Sequence, residues 1–99
     1  EAVLVAGEGA DSEAFAAMLR AVVEARRHRY LMLNAPESAL PEIARLVAPR
    51  VPSVLPLAEE RMVAVHALVP AAEVWRLLPE LEAVGGSSIL IVPVERMVS

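Results

Sequence analysis

The sequence contains no cysteine and no lysine, and it has one phenylalanine, one tyrosine and one tryptophan among 99 residues. The absence of cysteine excludes both a disulfide framework and thiolate chemistry. Although 57% of the residues are hydrophobic, the longest apolar runs fall far short of a membrane span. Nine basic residues, all arginine, stand against thirteen acidic ones, and the net charge of −4 argues against general nucleic-acid binding. The length suits one domain with one core.

Apolar periodicity and turn residues predict alternating strands and helices along the chain. In order, the predicted elements are a strand at 2–6, a helix at about 12–28, a strand at 30–33, a helix around 39–47, strands at 53–57 and 62–69, a helix from 70, and a strand at 89–92. The chain begins at Glu1 without Met and enters the first strand at once, which is compatible with a piece of a longer protein.

The expected helix starts follow from residues that cap or tolerate a helix N-terminus. Asp11 or Ser12 is the expected N-cap of the first helix. Pro41 should lie in the first turn of the second helix, where its missing N–H leaves no hydrogen bond unmade, so Ser38 is the expected N-cap there. Pro70 is expected at the first position of the third helix.

The third helix is expected to end at Gly85 and Gly86, because adjacent glycines can supply the left-handed residue that follows a helix. Pro79 lies inside this helix and should kink it. Trp75 is expected to pack at the margin of the apolar stripe rather than bind a ligand. The stripe itself recurs at helical spacing and consists of Val74, Leu77, Leu78 and Leu81.

From about residue 29 the predicted order is β-α-β-β-α-β, the split βαβ pattern of ferredoxin-like folds. We therefore expect an α+β domain at 29–99 with an antiparallel sheet of strand order 4-1-3-2, preceded by an N-terminal strand and connecting helix at 1–28. Prolines offer an independent check, because a strand tolerates proline at a sheet edge. Pro56 and Pro93 fall in the second and fourth strands, the expected edges, and the predicted first and third strands contain none.

The third predicted strand is apolar on both sides. An antiparallel sheet with one solvated face should instead alternate apolar and polar residues. The second face must then be covered by the N-terminal helix, another subunit or both, and we predict self-association. His66 shares that second face and is expected to be an interface or surface histidine. The first face carries Val63, Val65, Ala67 and Val69. The second face carries Met62, Ala64 and Leu68.

Four segments occur together and in this order: 30–40 (YLMLNAPESAL), 52–58 (PSVLPLA), 63–66 (VAVH) and 85–97 (GGSSILIVPVERM). With these motifs at this spacing, the sequence closely resembles the C-terminal regulatory domain of the long form of ATP phosphoribosyltransferase, the first enzyme of histidine biosynthesis. The resemblance covers about residues 26–99. Residues 1–25 loosely resemble the last catalytic-domain strand and connecting helix of that enzyme.

The resemblance implies a cytoplasmic, ferredoxin-like (ACT-like, PII-like) domain that binds L-histidine, the product of the pathway. In that family, binding causes allosteric feedback inhibition of catalysis elsewhere, and the domains cluster in threes within a hexamer. The implied partners are L-histidine, further copies of the chain and the catalytic domains of the parent enzyme, with no nucleic acid and no membrane. ATP, phosphoribosyl pyrophosphate and magnesium would belong to the catalytic lobes, so this domain is expected to hold no cofactor and to be non-catalytic by itself.

Carried over residue by residue, the family's histidine contacts fall on Asn34, Ser53 and Ser88, with Ser87 and the loop at Val51 beside them. Asn34 stands where some members have an acidic residue, and Ser53 stands where threonine is usual. Hydroxyl and amide groups both donate and accept hydrogen bonds, as a zwitterionic amino acid requires. The helix before the serine pair points its negative end at this turn, which favours an ammonium group over a phosphate.

Two other interpretations stay open. One is a structural trimerisation module whose ligand site has decayed, which a short loop at Val51 permits. The other is a PII-like small-molecule sensor or small independent enzyme, but we find no phosphate-binding loop. Ser87 and Ser88 could also serve only to satisfy backbone groups of a turn. His28 and His66 have no partner at metal-ligand spacing and no serine has a nucleophile context, so no catalytic or metal-ligating residue is expected.

Overall fold

The computed structural model describes residues 9–98, which form three α-helices and four strands. In chain order these are α1 (Gly9–Arg26), β1 (His28–Pro36), α2 (Leu40–Val47), β2 (Ser53–Pro56), β3 (Met62–Pro70), α3 (Val74–Ala83) and β4 (Ser87–Pro93). Short 3₁₀ turns at Glu37–Ala39 and Ala71–Glu73 lead into α2 and α3. The strand predicted at 2–6 lies outside the described residues. Within 9–98, every helix is too short or too polar to cross a membrane.

The four strands form one antiparallel sheet in the order β2-β3-β1-β4. This confirms the predicted ferredoxin-like α+β fold and its strand order. Pro56 and Pro93 are the last residues of the two edge strands, as expected. The central strands are longer than predicted, however, and end in Pro36 and Pro70, so the expectation that they lack proline is wrong. Proline is tolerated there because a strand end need not donate to the ladder.

Both α2 and α3 begin later in the chain than predicted, because a short 3₁₀ turn precedes each helix. Ala39, not Ser38, is the N-cap residue of α2, and no side chain caps this helix. Pro70 precedes a 3₁₀ turn and does not occupy the first position of α3. In both cases the 3₁₀ turn makes i→i+3 backbone hydrogen bonds at the helix entrance, so a polar cap is not needed. Pro41 does lie in the first turn of α2, as predicted.

Helix α1 begins at Gly9, so Asp11 and Ser12 lie within its first turn and the predicted N-cap is wrong. The helix packs against the domain through small residues near its C-terminal end, since Ala21 and Ala25 are buried. The backbone N–H of Met97, after β4, also donates to the carbonyl of Ala21 at 3.1 Å. The larger apolar side chains of the predicted α1 stripe are exposed or half-buried. They are Phe15, Met18, Leu19 and Val22.

The core lies between α2, α3 and one face of the sheet. Of the predicted α3 stripe, Leu77 and Leu81 are buried in this core, whereas Val74 and Leu78 are only partly buried. Ile43 of α2 is fully buried beside them. Trp75 is 76% exposed, so the expectation that it packs at the margin of the α3 stripe is wrong. Pro79 lies within α3, and the expected kink stays a prediction. The buried cluster consists of Leu31, Leu33, Ala35, Ala39, Ile43, Leu46, Val47, Val63, Val65, Ala67, Val69, Leu77 and Leu81.

Candidate functional site

The second face of the sheet, which we name the open face, is not covered by α2 or α3. Along β1 and β3, residues of this face alternate with fully buried ones, as the period of a strand requires. At the two edges Leu55 and Leu90 remain 56% and 55% exposed. The face contains no Asp, Glu, Lys or Arg. By strand register its members are Tyr30, Met32, Asn34, Ser53, Leu55, Met62, Ala64, His66, Leu68, Ser87, Leu90 and Val92.

A complete glycine cap positions the serine pair at the β4 edge. The N–H of Gly86 donates to the carbonyl of Leu81 at 2.8 Å, and the N–H of Gly85 donates to the carbonyl of Glu82 at 3.1 Å. Gly85 has φ +103°, so the two bonds and this left-handed residue form a Schellman motif. The predicted helix end is confirmed. Because β4 begins immediately afterwards, Ser87 stands directly at the C-terminal, negative end of α3.

The start of β4 is irregular where the sequence predicted ligand contacts. Asn34 pairs with Ser87, whereas Met32 pairs with Leu90, so β4 holds one extra residue between these pairs. Ser88 lies in this bulge and adopts φ +49°, a left-handed conformation that is uncommon for residues other than glycine. Bulges and positive φ values in non-glycine residues are over-represented at functional sites. The β4 edge therefore brings Asn34, Ser87 and Ser88 together.

The other predicted contacts lie at the opposite edge of the sheet. Ser53 begins β2 and pairs with His66 of β3, and Val51, in the loop before it, is 90% exposed. All four residues of β2 are exposed. From the spacing and rise of strands, Ser53 lies about 16 Å from Ser87, with β3 and β1 between them. The predicted contacts of one copy therefore fall into two separate groups, one at each edge of the sheet, which we name the candidate half-sites.

Tyr30 and His66 form a polar pair on the open face, and this contact was not predicted from the sequence. The Tyr30 hydroxyl lies 3.3 Å from Nδ1 of His66, and the rings meet edge to face with centroids 5.6 Å apart. The two residues are diagonal neighbours on β1 and β3, since Tyr30 pairs with Leu68 and His66 pairs with Met32. The available signal was strand alternation, which places residue 30 on the same face as His66.

The ion pairs of α2 and α3 lie on the helices, on the opposite side of the sheet from the open face. Glu42 and Arg45 form an exposed ion pair on α2, and the hydrogen bond from Arg45 lowers the pKa of Glu42 below its usual value. On α3, Arg76 bridges Glu73 and Glu80. Among the side chains that the structure describes, no polar group is buried without a hydrogen bond, and no three His, Cys, Asp or Glu residues are placed to hold a metal ion. The half-sites thus offer neutral hydrogen-bonding groups.

The family model described as "HisG, C-terminal domain" matches residues 25–96 of this sequence. The chain belongs to the HisG C-terminal domain family. A curated protein named ATP phosphoribosyltransferase from Methanocella arvoryzae is 48% identical over 82 residues, and one of the same name from Halobacterium salinarum is 45% identical over 82 residues. Each alignment covers 81% of this chain and 29% of the relative.

These matches confirm the resemblance seen from the motifs at 26–99. The matched range contains β1 to β4 and both half-sites, so the HisG C-terminal domain coincides with the ferredoxin-like unit. Most of α1 precedes the match. Because the chain spans less than a third of the relatives' length, the greater part of those proteins has no counterpart in it.

Proposed function

We propose that this chain is the allosteric regulatory domain of an ATP phosphoribosyltransferase, that it binds L-histidine for feedback inhibition, and that it mediates oligomerisation. The family and the names of its curated relatives support the link to this first enzyme of histidine biosynthesis. The observation that carries the ligand proposal is the division of the candidate contacts between opposite sheet edges, with Ser53 and Val51 on one and Asn34, Ser87 and Ser88 on the other. A site divided in this way is completed when two copies meet.

The assembly that completes the site is a closed ring. Joining the β2 edge of one copy to the β4 edge of the next is a head-to-tail contact, which forms a ring wherever the rotation closes. Three copies would also bring their open faces together and bury Leu55 and Leu90, which are more than half exposed in one copy. An uncharged apolar face of this kind is typical of a protein interface. We therefore propose a trimer of these domains.

The chemistry of the two half-sites suits a zwitterionic amino acid. The C-terminal end of α3 is the negative pole of a helix and lies beside Ser87, so it favours the ligand's ammonium group. The side-chain amide of Asn34 provides an acceptor for the same group. Ser53, at the facing edge, can donate its hydroxyl hydrogen to a carboxylate. For inhibition to follow, the assemblies must differ in their affinity for L-histidine, because a ligand shifts an equilibrium only by its differential binding.

Calorimetry with L-histidine is the direct test of binding. We expect saturable heat with L-histidine and none with L-alanine, which shares the ammonium and carboxylate groups but lacks the imidazole. At a ligand concentration of 100 Kd, binding should stabilise the folded state by about 2.7 kcal/mol, a rise in Tm of about 13 °C for a domain of this size. No heat and no thermal stabilisation at millimolar L-histidine would exclude the proposed ligand.

Replacing Ser88 by glycine separates ligand contact from stability. Ser88 adopts φ +49°, which glycine accepts without strain, so Ser88→Gly should leave stability unchanged or slightly raised. We expect the same variant to weaken L-histidine binding, because the hydroxyl is lost. Ser38→Gly, at an exposed position outside both half-sites, is the matched control. Unchanged affinity in Ser88→Gly would remove Ser88 from the site.

Sedimentation distinguishes the regulatory domain from a purely structural module. We expect a species of three times the 10.6 kDa chain mass, with an association that depends on L-histidine. A stable trimer that ignores L-histidine would favour the structural module, whereas a monomer at micromolar concentration would contradict the assembly. We also propose that the chain alone does not catalyse phosphoribosyl transfer, and an assay with ATP and phosphoribosyl pyrophosphate tests this directly.

A further inference from the structure

The Tyr30–His66 pair lies beside the half-site at the β2 edge. His66 pairs directly with Ser53 across β2 and β3, and paired residues on one face of an antiparallel sheet have Cβ atoms about 4.5–5.5 Å apart. Nδ1 of His66 is already engaged by the Tyr30 hydroxyl at 3.3 Å. The contact with Tyr30 uses Nδ1, so it leaves the second ring nitrogen, Nε2, for another hydrogen-bond partner. A ligand held by Ser53 therefore lies within reach of a histidine whose orientation is set from β1.

We propose that His66 is a ligand-binding residue of this half-site, and that its Nε2–H donates a hydrogen bond to the carboxylate of the bound amino acid. This inference rests on the proposed function and adds a residue that determines specificity. We assign the Tyr30 O–H as the donor and Nδ1 as the acceptor of this contact, an assignment that leaves the ring N–H at Nε2. Tyr30 is thus a positioning residue, since it selects the tautomer and does not itself touch the ligand.

The proposed contacts orient the ligand between the β2 edge of one copy and the β4 edge of the next. Ser53 and His66 together provide two neutral donors, which suit a carboxylate, at the β2 edge. The C-terminal end of α3 and Asn34 provide negative polarity and an acceptor at the β4 edge of the neighbouring copy. The ligand carboxylate therefore points to β2 and its ammonium group to β4. The strand residues of the open face include no Arg or Lys, so Ser53 and His66 are the carboxylate donors that this face provides at the β2 edge.

The test compares L-histidine with L-histidinol, which has a hydroxymethyl group in place of the carboxylate. His66→Leu should weaken L-histidine binding about tenfold or more, because a hydrogen bond to a charged group is lost, and should change L-histidinol binding by less than about threefold. His66→Gln keeps an N–H donor and should recover most of the L-histidine affinity. Tyr30→Phe keeps the ring contact without the hydroxyl and should weaken L-histidine binding by about three- to fivefold.

His28→Gln is the matched control, because His28 is the other histidine of β1–β4 and hydrogen-bonds the carbonyl of Glu24 at 2.8 Å. It should leave both affinities unchanged. Equal losses of L-histidine and L-histidinol in His66→Leu would show a structural effect and overturn the proposal, as would unchanged L-histidine affinity in a folded variant. If the unaltered chain does not bind L-histidine, this inference and the proposed function are both wrong. If the unaltered chain binds L-histidine and His66→Leu binds it equally well, only this inference is wrong.

Discussion

Replacing Gly86 by alanine should destabilise the domain at the junction that positions its serine pair. A Cβ at residue 86 would stand 2.7 Å from the carbonyl oxygen of Leu81 and 3.0 Å from Cδ1 of Leu33. The oxygen belongs to the helix backbone and cannot turn away as a flexible side chain could. It also accepts the Gly86 N–H at 2.8 Å, so relieving the contact breaks the hydrogen bond that closes the Schellman motif.

The expected change in the free energy of unfolding has two opposing parts. A hydrogen bond is lost in the folded state, and the conformational entropy of the unfolded chain is reduced. Leaving the Leu81 carbonyl without its partner beside a fully buried side chain destabilises by about 1–3 kcal/mol. Alanine restricts the unfolded chain relative to glycine and returns about 0.4–1 kcal/mol. Allowing for the residual steric clash, we expect a net loss of about 2 kcal/mol. For a domain of this size that lowers Tm by about 10 °C.

Urea unfolding followed by circular dichroism, at one fixed protein concentration, measures this loss. Gly85→Asn is the matched comparison at the other glycine, where φ +103° strains any side chain but the nearest contact of a Cβ, 3.1 Å to Cδ of Pro36, is longer than the 2.7 Å at residue 86. It should be the milder of the two changes. A Gly86→Ala variant within about 0.5 kcal/mol of the unaltered chain would refute the claim that the backbone contact at Leu81 leaves no room for a methyl group.

Three further changes probe the interface, the core and the surface charges. Leu90→Asp should abolish the proposed association in sedimentation, because a carboxylate would replace an apolar side chain of the open face, whereas Trp75→Asp, at a more exposed position on α3, should leave it intact. Ile43→Ala should destabilise by about 2–5 kcal/mol in urea, since Ile43 is fully buried and the loss includes a cavity. Arg45→Gln should raise the pKa of Glu42 towards its ordinary value in an NMR titration, because the hydrogen bond that lowers it is gone. The depressed pKa stabilises the fold above the unfolded-state value and this contribution disappears as pH falls through the folded-state pKa, so any stability difference in Arg45→Gln should vanish in acid.

The division of the candidate site gives this domain a reason to assemble beyond covering apolar surface. Ser53 and Ser87 lie at opposite edges of one sheet, so neither edge of a single copy presents the full set of candidate contacts. A ligand that bridges two copies would stabilise their contact by its own binding free energy, which is the linkage that an allosteric effector requires. Under this proposal, affinity for the ligand and strength of association change together.

Several features could be predicted from the sequence because local chemistry decides them. Apolar runs and helical spacing determine where the strands and helices lie, and the Gly85–Gly86 pair determines where α3 ends. The β-α-β-β-α-β order predicted the edge strands, whereas proline did not distinguish them, because all four strands end in proline. The motifs also predicted the family, because four short segments at fixed spacing are specific in a way that no single one is.

Other features depend on contacts between residues distant in the chain. Neither the β4 bulge that holds Ser88 at positive φ nor the 3₁₀ entrances to α2 and α3 can be read from local propensity, because sheet register and helix packing determine both. The Tyr30–His66 pair exists only because β1 and β3 adopt one register among several that their apolar patterns allow. The sequence by itself thus determined the elements and predicted their order in the sheet, while only the tertiary structure decided the strand register and the β4 bulge, since both depend on how the whole sheet packs.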